Sequence, residues 1–202
     1  MKQVGIFGGT FDPIHFGHLA LAREAKIEGE LEAVWFMPAV SPPHKQGKQI
    51  TPYEDRLKMT ELAIQDQDGF LSSDFERRRE GEAYTYRILQ DLREYYPQAE
   101  FSFILGADSL WEIEDWKHPE KILSMARIIA APREYTKKHN TLEEQAGYLT
   151  KKYSTKGILL LHAREIPISS SMIREMLQRG EDAGEYLPQK VEAYIHSKKL
   201  YR

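Results

Sequence analysis

The stretch Val4-Gly5-Ile6-Phe7-Gly8-Gly9-Thr10-Phe11-Asp12-Pro13-Ile14-His15-Phe16-Gly17-His18-Leu19 constrains this chain more than any other. A short apolar run, two adjacent glycines, a polar turn and an Ala/Leu-rich amphipathic segment spell strand, tight loop, helix. Gly8 and Gly9 let the backbone approach a ligand or take positive φ without steric cost. His15 and His18, three apart where the helix is expected to begin, share one face. That face adjoins unpaired backbone N–H groups and the positive end of the helix dipole, which favour an anion and hold both imidazoles largely neutral until one arrives. With the Thr10 hydroxyl these groups describe a phosphate cradle. The plainer alternative is a helix start whose histidines face water. Neither G-x-x-x-x-G-K-[ST] nor G-x-G-x-x-G is present, so the stretch is neither a P-loop nor a dinucleotide fingerprint.

Further along, strand-like and helix-like segments alternate. Strands are expected at 4–7, 33–37, 70–75, 101–105, 128–131 and 158–161, and helices at 19–26, 53–65, 84–95, 119–125, 142–153, 171–179 and 188–196. Nearly continuous apolar strands in such an alternation predict an α/β fold, a doubly wound parallel sheet with helices on both faces and two helices closing the chain. In such sheets ligands bind beyond the carboxyl ends of the strands, and the polar clusters follow the strands here. No repeat, low-complexity tract or linker interrupts the 202 residues, so a single domain over 1–202 is expected. The loop 38–52 is the most mobile part by composition.

The totals narrow the function. A hydrophobic content of 41% and a charged content of 29% are ordinary for a folded soluble protein. A net charge of −3 gives no general pull towards nucleic acid or an anionic membrane, so neither is an expected partner and an anion site has to be local. Without cysteine there is no disulfide framework, thiolate nucleophile or Cys-ligated zinc. No run approaches the ~18 apolar residues of a membrane span, and the N-terminal run is too short for a signal peptide, so a cytoplasmic protein is expected.

Four smaller motifs follow strands. Lys45, in Ser41-Pro42-Pro43-His44-Lys45, is either a point charge for phosphate or a solvated base. Gly106-Ala107-Asp108 offers a carboxylate to a ribose or a helix N-cap. Tyr84-Thr85 and Trp116 either pack or, on the sharper reading, present an indole face to a flat electron-poor ring and a hydroxyl with helix amides to a carboxylate. Ile168-Ser169-Ser170-Ser171-Met172-Ile173-Arg174 puts serines before an apolar helix and a cation in the first turn, where it opposes the dipole by ~0.3–1 kcal/mol unless an anion is near. These serines, helix amides and Arg174 describe a second phosphate site. The basic runs at 77–79, 151–152 and 198–199 read as solvated surface and a frayed end.

Gly-Gly-Thr-Phe-Asp-Pro-x-His-x-Gly-His-Leu resembles the opening motif of the nucleotidyltransferases with the (H/T)-x-G-H element, and in this long form that of bacterial nicotinate-nucleotide adenylyltransferase. Pro42-Pro43-His44-Lys45, Arg56 with Met59, Tyr84-Thr85, Gly106-Ala107-Asp108, Trp116 and Ile168-Ser169-Ser170-x-x-Ile173-Arg174 extend the likeness over nearly the whole chain. The resemblance implies a Rossmann-like fold and transfer of AMP from ATP to nicotinate mononucleotide, giving nicotinate adenine dinucleotide and pyrophosphate in NAD biosynthesis. It implies His15, His18 and Arg174 as the catalytic set. It implies Gly8, Gly9, Thr10, Lys45, Gly106, Asp108, Ile168, Ser169, Ser170 and Arg174 around ATP, and Phe11, Lys45, Tyr84, Thr85, Trp116 and Lys117 around the nicotinate nucleotide. Mg²⁺ would be carried by ATP with no metal site of the protein's own, and a homodimer is compatible with it. Ser171 and Lys117 depart from the family's usual threonine and aromatic residue. Two other readings are phosphopantetheine adenylyltransferase and a nucleotide sensor without turnover.

Overall fold

The computed structural model describes residues 2–40, 50–79, 81–131, 141–162 and 167–201. The first half of the chain forms β1 (Lys2–Gly9), α1 (Phe16–Glu28), β2 (Ala33–Pro38), α2 (Tyr53–Ile64), β3 (Phe70–Ser72), α3 (Phe75–Arg78) and α4 (Thr85–Tyr95). There follow β4 (Ala99–Gly106), α5 (Ala107–Trp111), α6 (Pro119–Met125), β5 (Arg127–Ala131), α7 (Leu142–Lys152), β6 (Ile158–Leu160), α8 (Ser170–Gln178) and α9 (Gln189–Lys198). The strands make one six-stranded sheet in the order β3-β2-β1-β4-β5-β6, with β1–β4, β4–β5 and β5–β6 parallel. This is the Rossmann-like, doubly wound order, reversing direction of growth between β1 and β4.

The chain divides into two compact units. One comprises Met1–Phe7, Ala22–Val34 and Glu80–Glu165, the other Gly8–Leu21, Trp35–Arg79 and Ile166–Arg202.

In the first unit the apolar runs do what their composition requires. Val4, Ile6 and Phe7 of β1, Phe101 and Phe103 to Leu105 of β4, and Ile128 to Ala130 of β5 are all buried. Their register pairs Val4 with Phe101, Ile6 with Phe103 and Phe103 with Ile128. Strands covered on both faces need no alternation of polar and apolar residues, and these show none. The helix α7 starts on a reciprocal cap: Thr141 Oγ1 accepts from the Glu144 N–H at 3.2 Å while Glu144 Oε2 accepts from the Thr141 N–H at 2.9 Å.

In the second unit, α2 buries Tyr53, Arg56, Met59, Thr60, Ala63 and Ile64, a helical stripe with one arginine inside it. The helix α9 buries Val191 and Ile195 and is tied to α2 by Tyr194 OH on Asp55 Oδ1 at 2.7 Å and to the turn after α2 by Lys190 Nζ on Asp66 Oδ2 at 2.8 Å.

Several boundaries differ from the expectation. The first helix begins at Phe16 rather than residue 19, taking in Gly17 and His18. The third strand stops at Ser72, because Phe75 turns inward to open a short helix whose charged residues 76–78 suit a solvated helix better than a strand. Residues 199–201 are not frayed: Lys199 takes a left-handed cap conformation with φ 54°, and Tyr201 OH is bonded to Asp12 Oδ1.

Replacing Thr141 by alanine removes the reciprocal cap and is expected to destabilise the protein by about 1 kcal/mol, read as a lower urea midpoint with an unchanged slope.

Candidate active site

The loop after β1 has a demanding geometry. Phe11 has φ 49°, a left-handed conformation uncommon outside glycine. Its ring is 1% exposed. A Cβ on Gly9 would lie 2.8 Å from Phe11 Cε1 and 2.9 Å from its Cζ. Gly8 and Gly9 therefore belong to the strand, and what Gly9 admits is an aromatic ring of the same chain; the positive φ of this turn falls on Phe11.

Four carbonyls, three of them in the loop, are met by side chains from elsewhere in the second unit. Arg56, 1% exposed on the inner face of α2, donates Nε to the Thr51 carbonyl at 2.9 Å and Nη1 to the Thr10 carbonyl at 2.8 Å. Arg174 donates Nη1 to the Asp12 carbonyl at 2.7 Å, and Ser170 donates its hydroxyl to the Pro13 carbonyl at 2.9 Å. The Asp12 carboxylate, also buried, accepts Tyr201 OH at 2.6 Å on Oδ1 and the Thr51 N–H at 3.4 Å on Oδ2. Burial lowers the pKa of Arg56, and the Asp12 charge opposes that shift. The first and last motifs of the sequence thus meet directly.

Ser169 caps α8, its hydroxyl accepting the Met172 N–H at 3.2 Å. Arg174 is the fifth residue of this helix, beyond the first turn. Its partners are the Asp12 carbonyl and the Ser171 hydroxyl, 3.3 Å from Nη2. The conflict with the helix dipole expected from sequence is therefore absent.

The histidines pack as a pair. His15 stands just before α1, its carbonyl accepting the His18 and Leu19 N–H groups at 3.0 and 3.3 Å. The two imidazole centroids are 3.7 Å apart. The His15 N–H is donated to His18 Nδ1 at 3.3 Å, which leaves the proton of a neutral His18 ring on Nε2. Phe11 meets His18 edge-on at 5.1 Å. A Cβ on Gly17 would lie 3.0 Å from His15 Nδ1 and 3.1 Å from its Cε1, so a side chain at this position would crowd the His15 ring.

His15 does not face water. It is 5% exposed, and Nδ1 is buried with no hydrogen-bond partner among the described residues. Burial, not the helix dipole, pushes its pKa down to about 4. It is neutral at pH 7 and has a polar atom unmet.

The first unit holds Gly106, Asp108, Tyr84, Thr85, Trp116 and Lys117. Gly106 precedes α5 as its N-cap, and a Cβ placed there would meet nothing within 4 Å. Asp108 is the second residue of α5 and makes no cap, which removes the capping alternative. Tyr84 is the N-cap of α4 with Thr85 as first residue; its ring stacks on Tyr86 at 6.1 Å and its hydroxyl lies 3.4 Å from Glu82 Oε1. Trp116 meets Phe103 edge-on at 6.1 Å. Its backbone N–H is given to the Ile113 carbonyl at 3.2 Å, while its indole Nε1 is buried without a partner among the described residues. Lys117 is exposed beside it. Lys45 lies outside the described residues. Among those that are described, no group of three or more His, Asp or Glu is able to hold a metal ion, and no helix is long and apolar enough to cross a membrane.

Sequence reasoning missed Asp12 and Tyr201 and noted Arg56 only as part of the resemblance. Arg56 carried a signal, a lone cation on the apolar stripe of a helix. For Tyr201 the sequence holds none.

A Rossmann-like sheet whose first loop carries paired histidines and is gripped by a Ser-Arg helix defines a nucleotidyltransferase, and residues 6–176 match the model of the cytidylyltransferase-like family. Curated relatives include the probable nicotinate-nucleotide adenylyltransferases of Desulfitobacterium hafniense, 40% identical over 100% of this chain and 96% of its own, and of Geobacillus thermodenitrificans, 35% identical over 100% of this chain and 87% of its own. The fold is similar to that of Plasmodium falciparum nicotinic acid mononucleotide adenylyltransferase complexed with NaAD, with a TM-score of 0.78 at 24% identity over 100% of this chain and 98% of that one. The chain belongs to the cytidylyltransferase-like family and, within it, to the nicotinate-nucleotide adenylyltransferases.

Because His15 titrates at about 4 in the folded protein against an ordinary 6.5, the unfolded chain binds the extra proton first as pH falls. Stability is full above pH 6.5 and falls as pH is lowered towards 4, by about 3 kcal/mol from this group. Denaturation at pH 7 and pH 4 should show that loss in the wild type and a smaller one in His15→Asn, and NMR titration should place the His15 midpoint near 4.

Proposed function

We infer that this chain transfers AMP from ATP to nicotinate mononucleotide. A phosphate oxygen of the mononucleotide attacks the α-phosphorus of ATP, the bond from that phosphorus to the bridging oxygen breaks, and pyrophosphate leaves with the electron pair. The acceptor needs no general base, since a phosphate monoester with its second pKa near 6 is mostly dianionic at pH 7. Alignment and charge stabilisation supply the catalysis.

The observation that carries this reading is the buried imidazole of His15, whose Nδ1 has no hydrogen-bond partner among the described residues, in a loop bonded to the Ser170–Arg174 segment. The residues at the end of β1, Gly8 and Gly9, with Thr10, His15 and His18, take the triphosphate and the charge that develops on pyrophosphate. A neutral imidazole keeps one N–H to donate, and it gains charge only when phosphate arrives. Arg174 and Ser170 fix the loop, and a guanidinium with five N–H donors retains others for phosphate. Lys45 adds a point charge. Gly106 and Asp108 bind adenosine, and Ile168 and Ser169 are assigned to ATP. Thr85, Tyr84, Trp116 and Lys117 receive the nicotinate nucleotide, and Phe11 contributes by supporting His18. Mg²⁺ enters as part of Mg-ATP, bound through phosphates as this ion prefers. The reading takes residues 1–202 as a single nucleotidyltransferase domain working in the cytoplasm, and a homodimer is compatible with it.

Pyrophosphate release by the purified chain with Mg-ATP should require nicotinate mononucleotide; release with 4′-phosphopantetheine in its place overturns the assignment, and ATP binding without release on any acceptor makes the chain a sensor. His18→Ala is expected to lower kcat by roughly 10²–10³, by analogy with loss of an oxyanion donor; a change confined to KM contradicts the role. Trp116→Ala should raise KM for the mononucleotide and leave that for ATP near its wild-type value.

A further inference from the structure

Asp12 sits in the loop assigned above to the triphosphate, yet the transfer gives its carboxylate nothing to do. It is 2% exposed, and a buried carboxylate persists only where it is paired or hydrogen-bonded. Its nearest partner comes from the far end of the sequence: the Tyr201 hydroxyl, at 2.6 Å from Oδ1, within the range of a charge-assisted O–H···O⁻ bond. Burial, then the charge of Asp12, pushes the Tyr201 pKa up, so the phenol stays a donor. The same aspartate offers its backbone carbonyl to Arg174. Asp12 is thus held at both ends, and His15 follows it by three residues.

We propose that Tyr201 is a positioning residue for adenylyl transfer, acting through Asp12. The phenol fixes the carboxylate in one orientation. Without it the carboxylate turns towards Arg56, whose charge it already feels, and competes with the Thr10 carbonyl for the guanidinium. The peptide from Thr10 to Pro13 then loosens, and His15 and His18 lose the fixed placement on which charge stabilisation in the transition state depends.

The helix preceding Tyr201 supplies its own control. Tyr194 OH meets Asp55 Oδ1 at 2.7 Å, another tyrosine–carboxylate bond, joining α9 to α2 and away from the loop. A role limited to holding the C-terminal helix in place predicts the same outcome for both tyrosines; a positioning role separates them.

The inference rests on the transfer activity proposed above, so the test pairs kinetics with a readout that needs no turnover. In the full chain, Tyr201→Phe should lower kcat by about tenfold or more with KM for ATP little changed, and should shift the His15 and His18 imidazole signals in ligand-free NMR spectra. Tyr194→Phe should lose comparable thermal stability and leave kcat and both signals in place. Asp12→Asn/Tyr201→Phe should be no slower than Asp12→Asn, since both changes remove one link. If Tyr201→Phe keeps its kcat and its imidazole signals, the proposal is overturned. If Tyr201→Phe yields no folded protein, Asp12→Asn takes its place against Tyr194→Phe, and an unchanged kcat there is equally fatal. A wild type inactive on nicotinate mononucleotide refutes the functional reading alone, and the imidazole signals still decide on Tyr201.

Discussion

Backbone carbonyls that leave a sheet edge and stay buried must find donors. In this chain the carbonyls of Thr10, Asp12 and Pro13 find them in Arg56, Arg174 and Ser170. The three bonds explain much of the second unit. The helix α2 needs a cation on its apolar face because the loop beneath it has an unmet acceptor, and α8 needs a serine and an arginine four apart because they address carbonyls one residue apart. A polar loop rigid enough to hold paired imidazoles is built from side chains that themselves satisfy its backbone.

That rigidity gives His15 its character. An imidazole in water is poised near its ordinary pKa; one buried beside Gly17 and the second imidazole is neutral at pH 7, with Nδ1 unmet among the described residues. Such an atom is costly to leave unpaired in the resting protein.

The sequence disclosed the parts of this arrangement that depend on local pattern. Apolar runs located all six strands, because a strand buried on both faces has no other way to be written. The histidine spacing located the loop, and the serines before residue 171 located the α8 cap. What sequence did not disclose depends on who meets whom. Gly9 looked like room for a ligand and is room for Phe11. Arg174 looked like a cation at odds with its helix and is the partner of a carbonyl 162 positions earlier. The third strand looked longer because Phe75 continues an apolar pattern, though the charges after it favour a helical turn. Tyr201, at the end of a basic segment, gave no sign at all; a phenol near a terminus is read as surface until something buried is found to need it.

The partners of the first loop are also separated from it by 157, 162 and 189 positions along the chain. A ribosome therefore exposes residues 10–13 well before Ser170, Arg174 and Tyr201 exist. Arg56 is at hand early for the Thr10 carbonyl, and the bond to Asp12 Oδ1 closes only once residue 201 has been made.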